Sequence, residues 1–477
     1  MPKAVLGIDI GTTSTKAGLF DLEGNLLAFS RADYAIRVGA EPGWFEQGPE
    51  DWWNAVLQTI NEVATASDEI VALCCDGQFP TLVAVDDKGQ SVCPAILWMD
   101  TRSFPEHQYL SERLGEASMV FGNLPKVLWL KRHRPQIYQK ARWFFDSWDY
   151  IAFRLSGRAA TSFQYTKGLT LQEQLEYAGI EQSLFPSPIP TGNIIGELTT
   201  ESAAATGLPA GVPVVAGVFD GMSSCIGAGL IEKGRALDIG GTSGGFSLCW
   251  DSLLSGPGVF GLEGPLPNLY ISGGVMAATG KALDWLRDDI LGGTVNTEEL
   301  LAEAARVPAG AEGLVFLPYL AGERSPLWDP MARGVFVGLT LRHQRAHLAR
   351  AVFEGAAFAV RHVAESALQS GASLTEMRVC GGTARSRLWN QIKADVTGFS
   401  VAVMRVPEVA VLGAAILAAV GVEEWPDLKR AVERMAHVDY RLEPQAETKS
   451  VYDRTFNVYK ETYLRLSPVF HDLAAFN

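Results

Sequence analysis

The chain has 477 residues, of which 47% are hydrophobic and 20% charged, and its formal net charge is −14. That length exceeds one comfortable hydrophobic core and points to two domains, while the acidic balance, with no Lys/Arg run, excludes a nucleic-acid-binding role. No apolar run nears the roughly 20 residues of a membrane span, and Met1-Pro2-Lys3 runs straight into a β-pattern without signal-peptide character, so a cytoplasmic protein is expected.

The six cysteines (Cys74, Cys75, Cys93, Cys225, Cys249 and Cys380) are scattered in apolar surroundings and read as reduced core thiols. In chain order, Val5 to Phe20 (VLGIDIGTTSTKAGLF) reads as a β-hairpin. Apolar residues run up to Asp9, Gly11-Thr12-Thr13 break the run, and alternation resumes to Phe20. Gly11 permits a sharp turn with an open amide. The Thr12 and Thr13 hydroxyls, the Lys16 charge and a strand-end Asp9 able to hold a metal or its water suit the terminal phosphates of a nucleotide. An ordinary Thr-rich turn fits the same residues.

Pro42 to Trp53 (PGWFEQGPEDWW) leads into a helix with Pro49 in its first turn and Glu50 and Asp51 at the positive end of its dipole. Trp52, Trp53, Val56, Leu57, Ile60 and Val63 recur at helical spacing and form its buried face. Trp44 and Glu46 precede the helix and are free to reach a ligand. Strands are predicted at Ile70 to Cys75, Leu82 to Val85 and Ala95 to Trp98. The first ends in Asp76-Gly77-Gln78-Phe79-Pro80 and the last in Met99-Asp100-Thr101-Arg102, and polar groups at strand ends are a common ligand-site arrangement in α/β proteins. The indole of Trp98, the acid of Asp100 and the guanidinium of Arg102 suit a polyhydroxylated substrate. A surface salt bridge between Asp100 and Arg102 is the simple alternative.

Val212 to Val218 reads as a buried strand that leads to Asp220, which serves either as a helix N-cap or as a catalytic carboxylate at the mouth of a cleft. Ala236 to Ser247 (ALDIGGTSGGFS) repeats the Gly-Thr-Ser turn, with Gly241, Thr242 and Ser243 between β-like segments. Two phosphate-type hairpins far apart in the chain predict two lobes that share a central cleft, the duplicated plan of the actin, hexokinase and sugar-kinase ATPases. Pro, Gly and Ser thicken around Ser252 to Gly258 and mark the boundary, which gives lobes 1–250 and 251–477. Gly241-Thr242-Ser243-Gly244-Gly245 also matches the hydrolase elbow G-x-S-x-G, but an elbow must lead into a helix and Gly245, Phe246 and Leu248 read as a returning strand.

Gly280-Lys281 looks like the end of a Walker A loop without its earlier Gly or its final Ser/Thr. Cys380-Gly381-Gly382-Thr383 lies between a short strand and a helix faced by Leu388, Trp389, Ile392 and Val396. A Gly pair there lets a nucleotide lie against bare backbone. The small-residue helix Val411 to Val420 packs beneath it or simply fills core.

These motifs, in this order, resemble those of the FGGY carbohydrate kinases over nearly the whole length. DIGTTSTKAGLFD is similar to the first phosphate loop of that family, and GVFDGMSSCIGAG to its catalytic-Asp segment. PKVLWLKRH from Pro125 and the stretch Gly334 to Glu354 are similar to its two signatures, and GGTARSRLWNQI to its adenosine segment. FLPYLAGERSPLWDP from Phe316 is typical of the xylulokinase-like branch. The resemblance implies an α/β, two-lobed actin/hexokinase-like (ribonuclease-H-like) ATPase fold with duplicated βββαβαβα lobes. It implies a kinase that uses ATP and Mg2+ on a small sugar or polyol, and it admits a homodimer.

On the same resemblance, Asp220 takes a proton from the sugar hydroxyl as it attacks the γ-phosphorus. Gly11, Thr12, Thr13, Lys16, Gly241, Thr242 and Ser243 hold phosphates with Asp9 near magnesium, and Gly280, Asp284, Gly381, Gly382 and Ser386 surround the nucleoside. Trp44, Glu46, Gln78, Phe79, Trp98, Asp100 and Arg102 face the sugar together with Asp220. The chain departs from the xylulokinase pattern at the sugar: Gln78-Phe79-Pro80-Thr81 replaces Gln-Met-His-Gly, Trp98-Met99-Asp100 replaces Trp-Asn-Asp, and Leu327-Trp328 replaces His-Asn. D-Xylulose leads the expected substrates, and ribulose, glycerol, erythritol and gluconate are alternatives. A non-catalytic ATPase-fold sensor would share the loops without needing Asp220 beside a polar sugar pocket.

Overall fold

The computed structural model describes residues 3–67, 69–114, 122–162 and 171–474. The chain forms two units, Met1–Gly227 with Ala410–Met435, and Ala228–Val409 with Ala436–Asn477.

The main sheet of the first unit grows from the N-terminal hairpin. Strands β1 (Ala4–Ile10) and β2 (Ser14–Asp21) pair antiparallel with Asp9 opposite Lys16, and β3 (Leu26–Asp33) continues the meander. On the other side of β1 lies β4 (Ile70–Gly77), parallel to it. A strand with neighbours on both edges and packing on both faces is apolar almost throughout, and every residue of β1 is buried, Asp9 being its one charged member. The strands β5 (Ile194–Glu197) and β6 (Pro213–Val215) complete the order β5-β6-β4-β1-β2-β3, with β6 parallel to β4. The helix Pro49–Val63 starts at its proline and buries Trp52, Trp53, Val56, Ile60 and Val63, the face its periodicity predicts.

From Ala410 on, the apolar helix Val409–Gly421 belongs to this first unit, where it is buried. Its small residues allow close approach to β1. A Cβ on Gly7 would sit 1.9 Å from Val411 O, and one on Gly413 would sit 1.9 Å from Ser223 O.

The second unit repeats the plan. Strands β7 (Arg235–Gly240), β8 (Gly244–Trp250), β9 (Phe260–Glu263), β10 (Tyr270–Met276), β11 (Glu376–Gly381), β12 (Val401–Met404) and β13 (Val438–Leu442) form one sheet. Their order is β9-β10-β8-β7-β11-β12-β13. Again an antiparallel meander (β7, β8, β10) is followed by two parallel strands (β11, β12). The helices Arg345–Leu368 and Arg387–Thr397 take the first two α positions of βββαβαβα; the helix that follows β12 in the chain is Val409–Gly421 of the first unit, and Lys449–Ala474 follows β13. This is the actin/hexokinase-like plan that the twin turns predict. The stretch 252–258 joins β8 to β9 inside one sheet, so it is not the boundary. A loop between sheet neighbours has the composition of a linker, and the chain passes between units after Gly227 instead. Among the described residues no helix is long and apolar enough to cross a membrane.

Candidate active site

The turn between β1 and β2 is held through its carbonyl groups. Gln78 N donates to Ile10 O (2.9 Å) and Tyr34 N to Thr13 O (3.0 Å). Tyr34 Oη donates to Gly11 O (2.6 Å), and Gln47 Nε2 to Thr12 O (2.7 Å). Gly11 N closes the turn on Ser14 O (3.0 Å). The amides of Thr12 and Thr13 bond to no group among the described residues, and unpaired successive amides in a tight turn are what an anion recognises. Trp98 Nε1 donates to Thr12 Oγ1 (3.0 Å), which ties this indole to the loop.

Three carboxylates gather beside the turn. Asp9 is 5% exposed, with Oδ2 3.3 Å from Lys16 Nζ and Oδ1 buried without a hydrogen-bond partner among the described residues. Asp76 is the register partner of Asp9 in β4 and is fully buried. Its Oδ2 accepts from Ser223 Oγ (3.1 Å). Burial, then the charges of Asp9 and Asp220, push Asp76 well above the usual carboxylate range. Asp220 opens the helix Asp220–Gly227, and its carboxylate accepts from Gly221 N (2.7 Å). An N-cap would bond an amide two or three residues on, so Asp220 is not occupied in that way. Burial, followed by the charge of Asp9, pushes Asp220 up to about 7, against the Gly221 amide and Lys16. A carboxylate poised near neutrality suits proton abstraction from an alcohol.

The residues predicted to face the sugar fall into two groups. Asp100 accepts from Phe45 N (2.6 Å), Arg102 N (2.9 Å), Arg102 Nε (2.9 Å) and Arg102 Nη2 (2.8 Å). Arg102 also reaches Glu46 (2.8 Å) and lies 3.9 Å over the Trp44 ring. The Asp100 and Arg102 side chains are 0% and 4% exposed, so this is a buried network and not the surface bridge weighed from the sequence. Phe79 packs on Trp148 and on Phe219, the residue before Asp220, with ring centroids 6.0 and 5.4 Å away. Gln78 Nε2 donates to Gln47 Oε1 (3.0 Å), and Gln78 Oε1 is buried without a partner.

In the second unit a cavity of about 470 Å³ is lined by Gly241, Thr242, Gly280, Asp284, Gly382 and Ser386, six of the residues predicted for nucleotide binding. Gly280 N and Lys281 N donate to Gly241 O (3.1 Å) and Thr242 O (3.0 Å). A Cβ on Gly280 would lie 2.2 Å from Gly241 O, which explains a glycine at this helix start. Ser386 Oγ caps the helix Arg387–Thr397 by accepting from Trp389 N (3.2 Å), and Asp284 pairs with Arg287 (3.2 Å). Gly381 and Ser243 lie outside the lining; Gly381 has φ 78°, open to glycine, and Ser243 O accepts from Gly241 N (3.0 Å). Asp238 holds the place in β7 that Asp9 holds in β1, but it is ion-paired with the buried Lys393. The residues after Ser243 are strand β8, so the G-x-S-x-G match is not a nucleophile elbow.

Tyr34, Gln47 and Asp76 escape a motif-based reading. Asp76, an acid closing the apolar run Ile70 to Cys75, was the one legible signal.

Residues 4–227 match the N-terminal domain, and residues 239–422 the C-terminal domain, of the FGGY family of carbohydrate kinases. The xylulose kinase of Staphylococcus epidermidis is 31% identical over 99% of this chain and 98% of its own. The crystal structure of xylulose kinase from Rhodospirillum rubrum superposes with a TM-score of 0.83 at 32% identity, covering 98% of this chain and 100% of that one. That of gluconate kinase from Lactobacillus acidophilus superposes with a TM-score of 0.88 at 26% identity, over 99% and 100% of the two chains. With both halves matched and a poised aspartate beside an amide-lined turn, this chain belongs to the FGGY family of carbohydrate kinases.

Proposed function

We propose that this ATP-dependent carbohydrate kinase phosphorylates a hydroxyl of a small neutral ketose or polyol, with D-xylulose the leading substrate, in the cytoplasm where ATP is available. The observation that carries the reading is Asp220, half-buried and raised to about 7 within electrostatic reach of Asp9 and Lys16. In this reading Asp220 takes the hydroxyl proton, and the loop amides with Lys16 orient and neutralise the phosphates. Gly241, Thr242, Gly280, Asp284, Gly381, Gly382 and Ser386 seat the nucleotide in the second unit.

Magnesium fits the chemistry of Asp9. Its Oδ1 is buried and unpartnered, and among the described residues no set of three or more His, Cys, Asp or Glu side chains forms an all-protein metal site. Mg2+ takes one or two carboxylates and completes its shell with phosphates and water. Asp9 would hold it there, and the bound ion would neutralise charge on the phosphates.

A neutral substrate is favoured over a sugar acid because nearby cations are already engaged. Arg102 is closed by Asp100 and Glu46, and Lys126 Nζ donates to Pro80 O (2.8 Å). A coupled assay with MgATP across ketopentoses, polyols and aldonates tests this. A ketopentose should give the highest kcat/KM, and an aldonate at the head of the panel would overturn the assignment.

A further inference from the structure

Gln47 ends the short strand Phe45–Gln47 and is fully buried. The chemistry of its neighbours fixes how its amide points. The indole Nε1 of Trp52 can only donate, so the atom 3.0 Å from it is Oε1; Thr12 O can only accept, so the atom 2.7 Å from it is Nε2. The same oxygen accepts from Gln78 Nε2 (3.0 Å), and the nitrogen also faces Ala35 O (3.4 Å).

The two duplicated turns are held by different means. In the second unit, main-chain amides of Gly280 and Lys281 hold the carbonyls of Gly241 and Thr242. Counted from Asp9 and Asp238, the matching carbonyls of the first unit are those of Thr12 and Thr13: a main-chain amide, Tyr34 N, holds Thr13 O (3.0 Å), but a side chain, Gln47, holds Thr12 O, and Tyr34 Oη adds a tether on Gly11 O. A peptide plane whose carbonyl is fixed has its amide fixed too, so Gln47 sets the direction of the amide that follows Thr12.

We propose that Gln47 is a positioning residue for the terminal phosphates of ATP, holding the Thr12-Thr13 peptide so that the turn presents its amides to them. This rests on the reading of the turn as a phosphate site. The test is Gln47→Glu in the full chain, a near-isosteric change that keeps the acceptor for Trp52 and Gln78 but sets an oxygen against Thr12 O. Calorimetric titration in magnesium, without sugar, compares a non-hydrolysable ATP analogue with ADP. Affinity for the triphosphate should fall about tenfold while affinity for ADP stays within about threefold, the scale of one mis-set charged hydrogen bond. Tyr34→Phe removes the neighbouring tether and should give a smaller loss of the same kind, which keeps the proposal testable if Gln47→Glu does not fold. Unchanged triphosphate binding in both variants, or equal losses for both nucleotides, would overturn it. If the unaltered protein binds neither nucleotide, the phosphate-site reading itself falls and takes the proposal with it.

Discussion

A carboxyl group that titrates near neutrality does so within the range where a kinase is assayed. Asp220 must be deprotonated to accept the hydroxyl proton, so kcat/KM should rise with pH through about 7 and level off above it. Asp220→Asn should keep nucleotide binding and lose about 10²- to 10⁴-fold in turnover, the usual worth of a general base. A variant with near-normal turnover, or an unaltered pH limb, would remove Asp220 from that role. Asp220 is legible in the sequence because it follows an apolar strand and precedes a Gly/Ser-rich helix start. Of Asp76 only its place at a strand end is legible, and of Gln47 nothing is, because what makes them matter is supplied from elsewhere in the chain. Asp76 is buried against Asp9 and Ser223, and Gln47 reaches Thr12 and Gln78, 35 and 31 residues away.

At the level of elements, the Asp100–Arg102–Glu46 network joins the turn at 97–102 to the strand Phe45–Gln47. Arg102→Met would leave the Asp100 carboxylate buried beside Phe45 N with its main partner gone. The expected loss is about 3–5 kcal/mol of unfolding free energy in urea, whereas an exposed pair would cost at most about 1 kcal/mol. A loss below that lower figure would return Asp100 and Arg102 to the surface alternative. The sequence shows the charged residues here but not their burial. Trp44, which covers Arg102, lies in a loop with no periodicity to betray it.

On the scale of the molecule, composition misplaces the boundary because Pro, Gly and Ser mark loops regardless of where they lead. The twin turns predict the duplication correctly, since a repeated loop implies a repeated scaffold. What they cannot reveal is that residues 410–435 return to the first unit, which contacts such as the close approach of Gly7 to Val411 and of Gly413 to Ser223 display. Residues 1–227 produced alone should therefore expose the face of β1 that this helix covers and lack a cooperative thermal transition. Joining residues 410–435 to them through a flexible linker should restore it. A cooperative transition in the shorter piece would show the helix to be dispensable.

Duplication placed an aspartate at the same strand position in each half, and the two are neutralised differently. Asp238 carries its counter-ion on a tether, because Lys393 is part of the chain and cannot be diluted or chelated. Asp9 also has a tethered cation, Lys16, 3.3 Å from its Oδ2, but its Oδ1 has no hydrogen-bond partner among the described residues. Sensitivity to the ionic composition of the surroundings is thus expected of one half alone. Hydrogen exchange should show it: millimolar magnesium should slow exchange in residues 4–21 and 70–77 and leave residues 235–250 as they were. Equal slowing in both segments would mean that the tethered cation does not seal its half.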